Sequence, residues 1–233
     1  MPPSAPPLLL LVHGWGFGPG LWRPLRRALP GWPCCTLDLG FFGRIRGEIP
    51  AGQPLLAVGH SLGFLWLLHH LEQAPWREAC VGLVSIAGFS RFTRTLDFPD
   101  GVAPRLLARM RHRLPQDATG VLKAFCQQSD WPNCPDQSVP NPAPLLDGLT
   151  WLDTWDGRAA LAAWDKPLHT LAAQDDQIVP AALTRGCFPD EHIHWLENGG
   201  HLLPLTRPDH CARFLLKTLG GGEPPPNPPT LFF

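Results

Sequence analysis

The sequence has no excess of charge of either sign. Nineteen Lys and Arg stand against 20 Asp and Glu, giving a net charge of -1, and only 17% of the 233 residues are charged. A global field that would gather nucleic acid or an anionic membrane is therefore excluded, and a charged partner has to be met by a local patch. A long apolar run at the start is also lacking. In MPPSAPPLLLLVHG only the five residues LLLLV precede His13, and no basic group does. That is too little for a secretory core or a membrane span, so the expectation is a cytoplasmic protein with no membrane contact. The seven cysteines include no C-x-x-C pair. Neither a disulfide framework nor a zinc site is indicated, and the adjacent Cys34 and Cys35 read with the rest as reduced thiols packed as small hydrophobes. The ending GGGEPPPNPPTLFF (220–233) has no helical or strand pattern, and its glycines and prolines predict a flexible or extended tail.

What is present is a chain 44% hydrophobic and long enough for one domain with a sizeable core. Six short apolar runs are bounded by turn residues: LLLLVHG (8–14), CCTLDL (34–39), PLLAVGHS (54–61), CVGLVSIAG (80–88), LHTLAAQDD (168–176) and HIHWLEN (192–198). Strands covered on both faces lose polar alternation and read this way. Helical spacing lies between several of them, at 21–29, 62–73 and 208–219. Alternating strand and helix signals predict an α/β domain with a mainly parallel sheet and helices on both faces.

One interval, 90–164, interrupts this rhythm with helix-like pieces and many prolines. It reads as a helical cap inserted into a core made of 1–89 and 165–219. Within it PRLLARMRHRL (104–114) begins with proline at a first helical position and gathers Leu106, Leu107, Met110 and Leu114 on one face. Arg105, Arg109 and Arg113, spaced by four, form a basic stripe on another face.

The stretch GHSLG sets Ser61 between Gly59 and Gly63, closing one predicted strand and opening a predicted helix. A sharp strand-to-helix turn of this kind strains the central residue and requires small neighbours two positions away. Ser61 is thus a candidate nucleophile, the alternative being an ordinary serine N-cap. The Leu62 amide, in the first helical turn, would face an oxyanion. A serine needs a base, and the base a carboxylate. Both follow in loops past later strands: Asp175 and Asp176 in AAQDDQIVP, and His201 in ENGGHLLP. Asp176 is preferred for its D-x-x-V-P context, with Asp175 as a solvated or capping neighbour. Near the first strand, HGWG leaves backbone room at Gly14 and Gly16 and offers the Trp15 amide as a second oxyanion donor. His13 and His60 flank this site and shape it, and the remaining histidines read as surface or packed residues without zinc spacing. Candidates for an acyl pocket are Trp15, Phe64, Phe89 and Phe92, each of which is also plausible core.

HGWG, GHSLG, DQIVP and GGH, in that order over residues 8–219, resemble the α/β-hydrolase superfamily. Within it the chain is most similar to the pimeloyl-[acyl-carrier protein] methyl ester esterases of biotin synthesis. The resemblance implies a triad of Ser61, Asp176 and His201, an oxyanion hole from the Trp15 and Leu62 amides, and no metal or other cofactor. It also implies an acyl-carrier protein as partner. Residues 91–123 hold seven Lys and Arg against three Asp and Glu, so Arg105, Arg109 and Arg113 become candidates for docking that acidic carrier, an alternative being a simply solvated face. A general short-chain carboxylesterase or thioesterase, and a non-catalytic binder of the same fold, are the competing expectations.

The pattern departs from the superfamily in two places. Only about eleven residues separate Gly43 from Leu55, short for a crossover that normally needs a dozen or more and a helix. Only seven precede the first strand, so leading antiparallel strands are expected to be absent. These gaps leave the oligomeric state open.

Overall fold

The computed structural model describes residues 6–44, 46–49, 52–129 and 139–220. Each of the six apolar runs forms a strand: β1 (Leu8–Val12), β2 (Cys34–Leu37), β3 (Leu55–His60), β4 (Cys80–Ile86), β5 (Leu168–Ala173) and β6 (Ile193–Leu196). They build one sheet in the order β2-β1-β3-β4-β5-β6, with all five pairings parallel. β3 therefore lies inside the sheet, between β1 and β4, and its carboxyl end is where the chain turns into a helix.

Strand residues alternate between two cores. Leu8, Leu10 and Val12 face one side with Leu55 and Ala57, while Leu9 and Leu11 face the other with Leu56 and Val58. The second side is covered by α1 (Arg23–Arg27), the short α8 (Leu203–Thr206) and α9 (Pro208–Thr218), which pack together. α2 (Leu62–His70) and α7 (Ala181–Cys187) cover the first. α2 is apolar nearly all round because it lies between the sheet and α6 (Arg158–Ala162).

Between β4 and β5 run α3 (Pro104–Arg113), α4 (Ala118–Gln128), α5 (Pro142–Thr154) and α6. α3 starts on its proline as its spacing predicts, buries Leu107, and keeps Arg105, Arg109 and Arg113 exposed. α4 is capped by the Asp117 carboxylate, which accepts the Gly120 N–H at 2.8 Å. The two ends of this segment lie side by side. The Gly157 N–H donates to the Ser90 carbonyl at 2.7 Å, and Arg91 pairs with Asp156 at 2.5 Å.

Among the described residues no helix joins β2 to β3, and three of the four residues of β2 are only partly buried. That edge strand is the least covered of the sheet's first three strands. Cys80, Cys126, Cys187 and Cys211 are buried, and burial pushes the Cys211 thiol up to about 12. Of the expected flexible tail, 220–233, all but Gly220 lies outside the described residues.

Candidate active site

The turn from β3 into α2 holds Ser61 at φ 53° and ψ -124°, in a region that costs a non-glycine residue strain. The glycines on either side make this possible. A Cβ on Gly59 would stand 2.3 Å from the Phe64 Cα, and one on Gly63 would stand 2.1 Å from the Val12 carbonyl oxygen. Both positions are therefore restricted by backbone contact. Ser61 makes no side-chain cap of α2, so its hydroxyl is not engaged in the N-cap role.

That hydroxyl lies instead 3.0 Å from His201 Nε2, a contact between residues 140 apart in sequence. His201 follows Gly199 and Gly200, both at positive φ, in the loop after β6. On its other side its Nδ1–H donates to Asp176 Oδ2 at 2.8 Å. Asp176 sits in the loop between β5 and α7, and its Oδ1 accepts the backbone N–H groups of Ile178 at 2.8 Å and Val179 at 2.9 Å. One carboxylate oxygen is thus pinned by the turn while the other is left for the imidazole. All three residues are buried, Ser61 at 5%, Asp176 at 4% and His201 at 1% exposure. A low-dielectric enclosure of this kind strengthens each link and fixes the tautomer that leaves Nε2 bare for the serine proton.

Asp175, the neighbour not chosen for the triad, lies outside this chain and does something else. Its exposed carboxylate accepts the N–H groups of Gly199 at 3.1 Å and Gly200 at 2.9 Å, tying the β5 loop to the loop that carries His201. The two histidines expected to shape the site are both fully buried. His13 Nε2 accepts the Leu39 N–H at 3.0 Å, and Nδ1 lies 3.0 Å from the Gly14 carbonyl, so the ring braces the loop after β1. His60 Nε2 lies 2.9 Å from the His201 carbonyl oxygen.

Trp15 follows in the same loop. Its amide and that of Leu62, the residue after Ser61, donate to no acceptor among the described residues. The Trp15 side chain has a second task that its position in sequence does not disclose. Its indole N–H donates to the Leu145 carbonyl in α5 at 2.9 Å, and its ring meets Phe125 of α4 edge-on at 5.1 Å.

A cavity of about 640 Å³ lies over Ser61, walled by Trp15 and Phe92 and by apolar residues of α3 and α4, among them Leu107, Met110 and Phe125. Phe64 and Phe89, expected on its wall, do not line it. Both are fully buried core residues, Phe64 against Phe188 and Phe89 against Phe92. A residue inside the first turn of α2 points into the sheet-facing core, which the spacing of aromatics alone does not reveal. Of the basic stripe, Arg109 and Arg113 line the cavity and Arg105 does not. Arg94, which the helical spacing could not single out because it lies before α3, lines it too. Among the described residues no group of three or more His, Cys, Asp or Glu is placed to hold a metal ion, and no helix is long and apolar enough to cross a membrane.

The sheet order and the covering helices are shared with solved hydrolases. The esterase of Exiguobacterium antarcticum superposes with a TM-score of 0.77 at 15% identity, covering 92% of each chain. The chain has the α/β-hydrolase fold. No protein-family model matches the chain. Among curated proteins it is similar to the pimeloyl-[acyl-carrier protein] methyl ester esterase of Xanthomonas oryzae pv. oryzae, 29% identical over 239 residues, spanning 90% of this chain and 93% of that one. It is also 28% identical over 234 residues to the biotin biosynthesis bifunctional protein BioHC of Cellvibrio japonicus, spanning 87% of this chain and 45% of that longer protein. With a buried Ser-His-Asp chain of contacts on this fold, the protein is a carboxylic ester hydrolase of the serine type.

Proposed function

We propose that this hydrolase cleaves the methyl ester of a pimeloyl chain carried on acyl-carrier protein, releasing methanol. The observation that carries the reading is the contact chain Ser61–His201–Asp176 opening into a cavity large enough for a medium-length acyl chain. The names of the similar curated proteins supply the substrate class.

In this mechanism Ser61 Oγ attacks the ester carbonyl while His201 Nε2 takes its proton. The oxyanion of the tetrahedral intermediate is held by the Trp15 and Leu62 amides, and Asp176 stabilises the imidazolium. As the intermediate collapses, His201 returns the proton to the departing methoxide. A water, deprotonated by the same ring, then attacks the acyl-enzyme, and as the second intermediate collapses His201 returns that proton to the departing Ser61 Oγ, freeing the carboxylic acid. Residues 90–164 act as the cap over a core of 1–89 and 165–219. Arg109 and Arg113, with Arg105 further along the stripe, dock the acidic carrier at the cavity mouth. A cytoplasmic location belongs to this substrate reading and stands or falls with it.

A general short-chain carboxylesterase draws support from the largely apolar wall of the cavity, which fits any modest acyl group. Two assays separate the readings. Fluorophosphonate labelling that is lost in Ser61→Ala tests the nucleophile, and a parent protein that does not label would return the chain to a non-catalytic binder. Hydrolysis of pimeloyl-carrier methyl ester, with growth rescue of a biotin-requiring bacterium lacking that esterase, tests the substrate. Activity on p-nitrophenyl esters without rescue, despite soluble expression, would favour the general esterase.

A further inference from the structure

We propose that His60 is a positioning residue: its ring N–H holds the backbone carbonyl of His201 and thereby sets where the base stands relative to Ser61. The inference rests on the serine-hydrolase reading and adds a residue to its machinery.

The direction of the bond follows from the atoms. A carbonyl oxygen only accepts, so at 2.9 Å from the His201 oxygen His60 Nε2 must carry a hydrogen. Nδ1 is then bare in a neutral ring, and among the described residues it has no partner. It faces Gly14, where an added Cβ would come within 2.8 Å of it. The ring is enclosed edge-on by Phe17 at 6.1 Å and Trp22 at 6.4 Å, and lies 4.9 Å from the His201 ring. Burial first, then the neighbouring His201 and His13, hold its pKa well below the ordinary histidine value, which keeps it neutral and limits it to one tautomer.

Plain packing does not call for such a residue. In an aromatic box a phenylalanine would fill the space without burying an unpaired nitrogen. What histidine adds is the single N–H, and that N–H is spent on the backbone of the base. The need for it is local. Gly199 and Gly200 sit at φ 143° and 63° and give the loop little stiffness of its own. Asp175 holds the two glycine amides and Asp176 the far side of the imidazole, while His60 holds the peptide that emerges from His201. Since His60 is joined directly to Ser61, the bond ties nucleophile and base through one residue rather than through the whole sheet.

The test uses the full-length protein with a fluorophosphonate probe and p-nitrophenyl butyrate. In His60→Phe, which keeps the ring and loses the donor, labelling and kcat are expected to fall ~10–100-fold with KM within about twofold, as a displaced base would produce. In His60→Gln, whose amide N–H can reach the same carbonyl, much of that loss should be recovered. Equal rates for His60→Phe and the parent, or equal losses in both variants, would overturn the proposal. Should neither variant fold, histidine-ring nitrogen NMR of the unaltered protein decides it. A neutral Nε2–H tautomer that does not titrate between about pH 5 and 9 supports the bond, and an Nδ1–H tautomer or a protonated ring sinks it. Failure of the parent protein itself to label at Ser61 would refute the hydrolase reading, a result distinct from a silent His60→Phe.

Discussion

Asp175 and Gly200 are joined across two loops, the carboxylate accepting the glycine N–H at 2.9 Å. The adjacent residue, Asp176, addresses the imidazole one position later. Two consecutive aspartates thus hold the same loop at different points, one by its backbone and one by its base.

Their substitutions should separate accordingly. Asp176→Asn is expected to lower kcat by ~10⁴, because the amide no longer selects the tautomer with Nε2 bare. Asp175→Ala leaves that pairing in place and releases two loop amides, so a fall of ~10–100-fold is expected, with a lower melting temperature. Steady-state kinetics on p-nitrophenyl butyrate and a thermal melt distinguish them. A loss in Asp175→Ala as deep as in Asp176→Asn would contradict this division of labour.

Gly63→Ala should be a folding defect before it is a catalytic one. The new methyl would lie 2.1 Å from the Val12 carbonyl oxygen, which belongs to β1, an interior strand paired on both sides. A destabilisation of about 3 kcal/mol or more is expected from urea titration. A variant of parent stability would mean the elbow is far more pliable than its contacts indicate.

Trp15→Phe removes the indole N–H from the carbonyl of the fully buried Leu145 in the first turn of α5. That carbonyl keeps its place in the helix ladder, so the cost is that of one buried hydrogen bond, about 0.5–1.5 kcal/mol. The backbone amide of residue 15 is untouched, so kcat should suffer less than stability and KM, which depends on the cavity wall. A kcat collapse at constant KM would show that the side chain, and not only the amide, serves the reacting carbonyl.

Acid should weaken the fold by way of its buried histidines. His60 is held neutral in the native state, while the unfolded chain titrates near the ordinary value of 6.5. His169, half-buried beside His192, is shifted downward too. Groups with lowered native pKa stabilise fully above the unfolded value and lose that contribution as pH falls towards the native one. Below about pH 6.5 the unfolded state binds more protons, and stability should drop by up to about 1.4 kcal/mol per pH unit through His60, with a smaller, solvent-screened share from His169. Urea midpoints at pH 7.5, 6.0 and 5.0 measure the slope, and a flat profile would refute it.

Charge reversal at the cavity mouth tests the carrier. Arg109→Glu is expected to raise KM on a carrier-linked ester by about tenfold, equivalent to ~1.4 kcal/mol, and to leave a free p-nitrophenyl ester nearly unaffected. Arg105→Glu, off the cavity wall, should do less. Equal effects on both substrates would remove the docking role.

The strands were legible because a sheet covered on both faces leaves uninterrupted apolar runs, and Gly59, Ser61 and Gly63 were legible because their geometry is a local one. Asp176 and His201 could be found by asking what a serine needs downstream. The supporting contacts could not. His60 reaches a carbonyl 141 positions away, and Trp15 reaches one 130 positions away, and no periodicity encodes a partner at such distances. Phe64 and Phe89 were open between pocket and core for a related reason: composition marks a residue as buried without saying what it is buried against.

The site draws on Ser61 in β3's turn and His201 after the last strand, 140 residues later. During synthesis the chain emits its nucleophile early and remains inert until β6 has been added at the far edge and the loop behind it has closed. Catalysis in this protein is consequently a late event of folding, and turnover reports completion of the whole sheet rather than of any part.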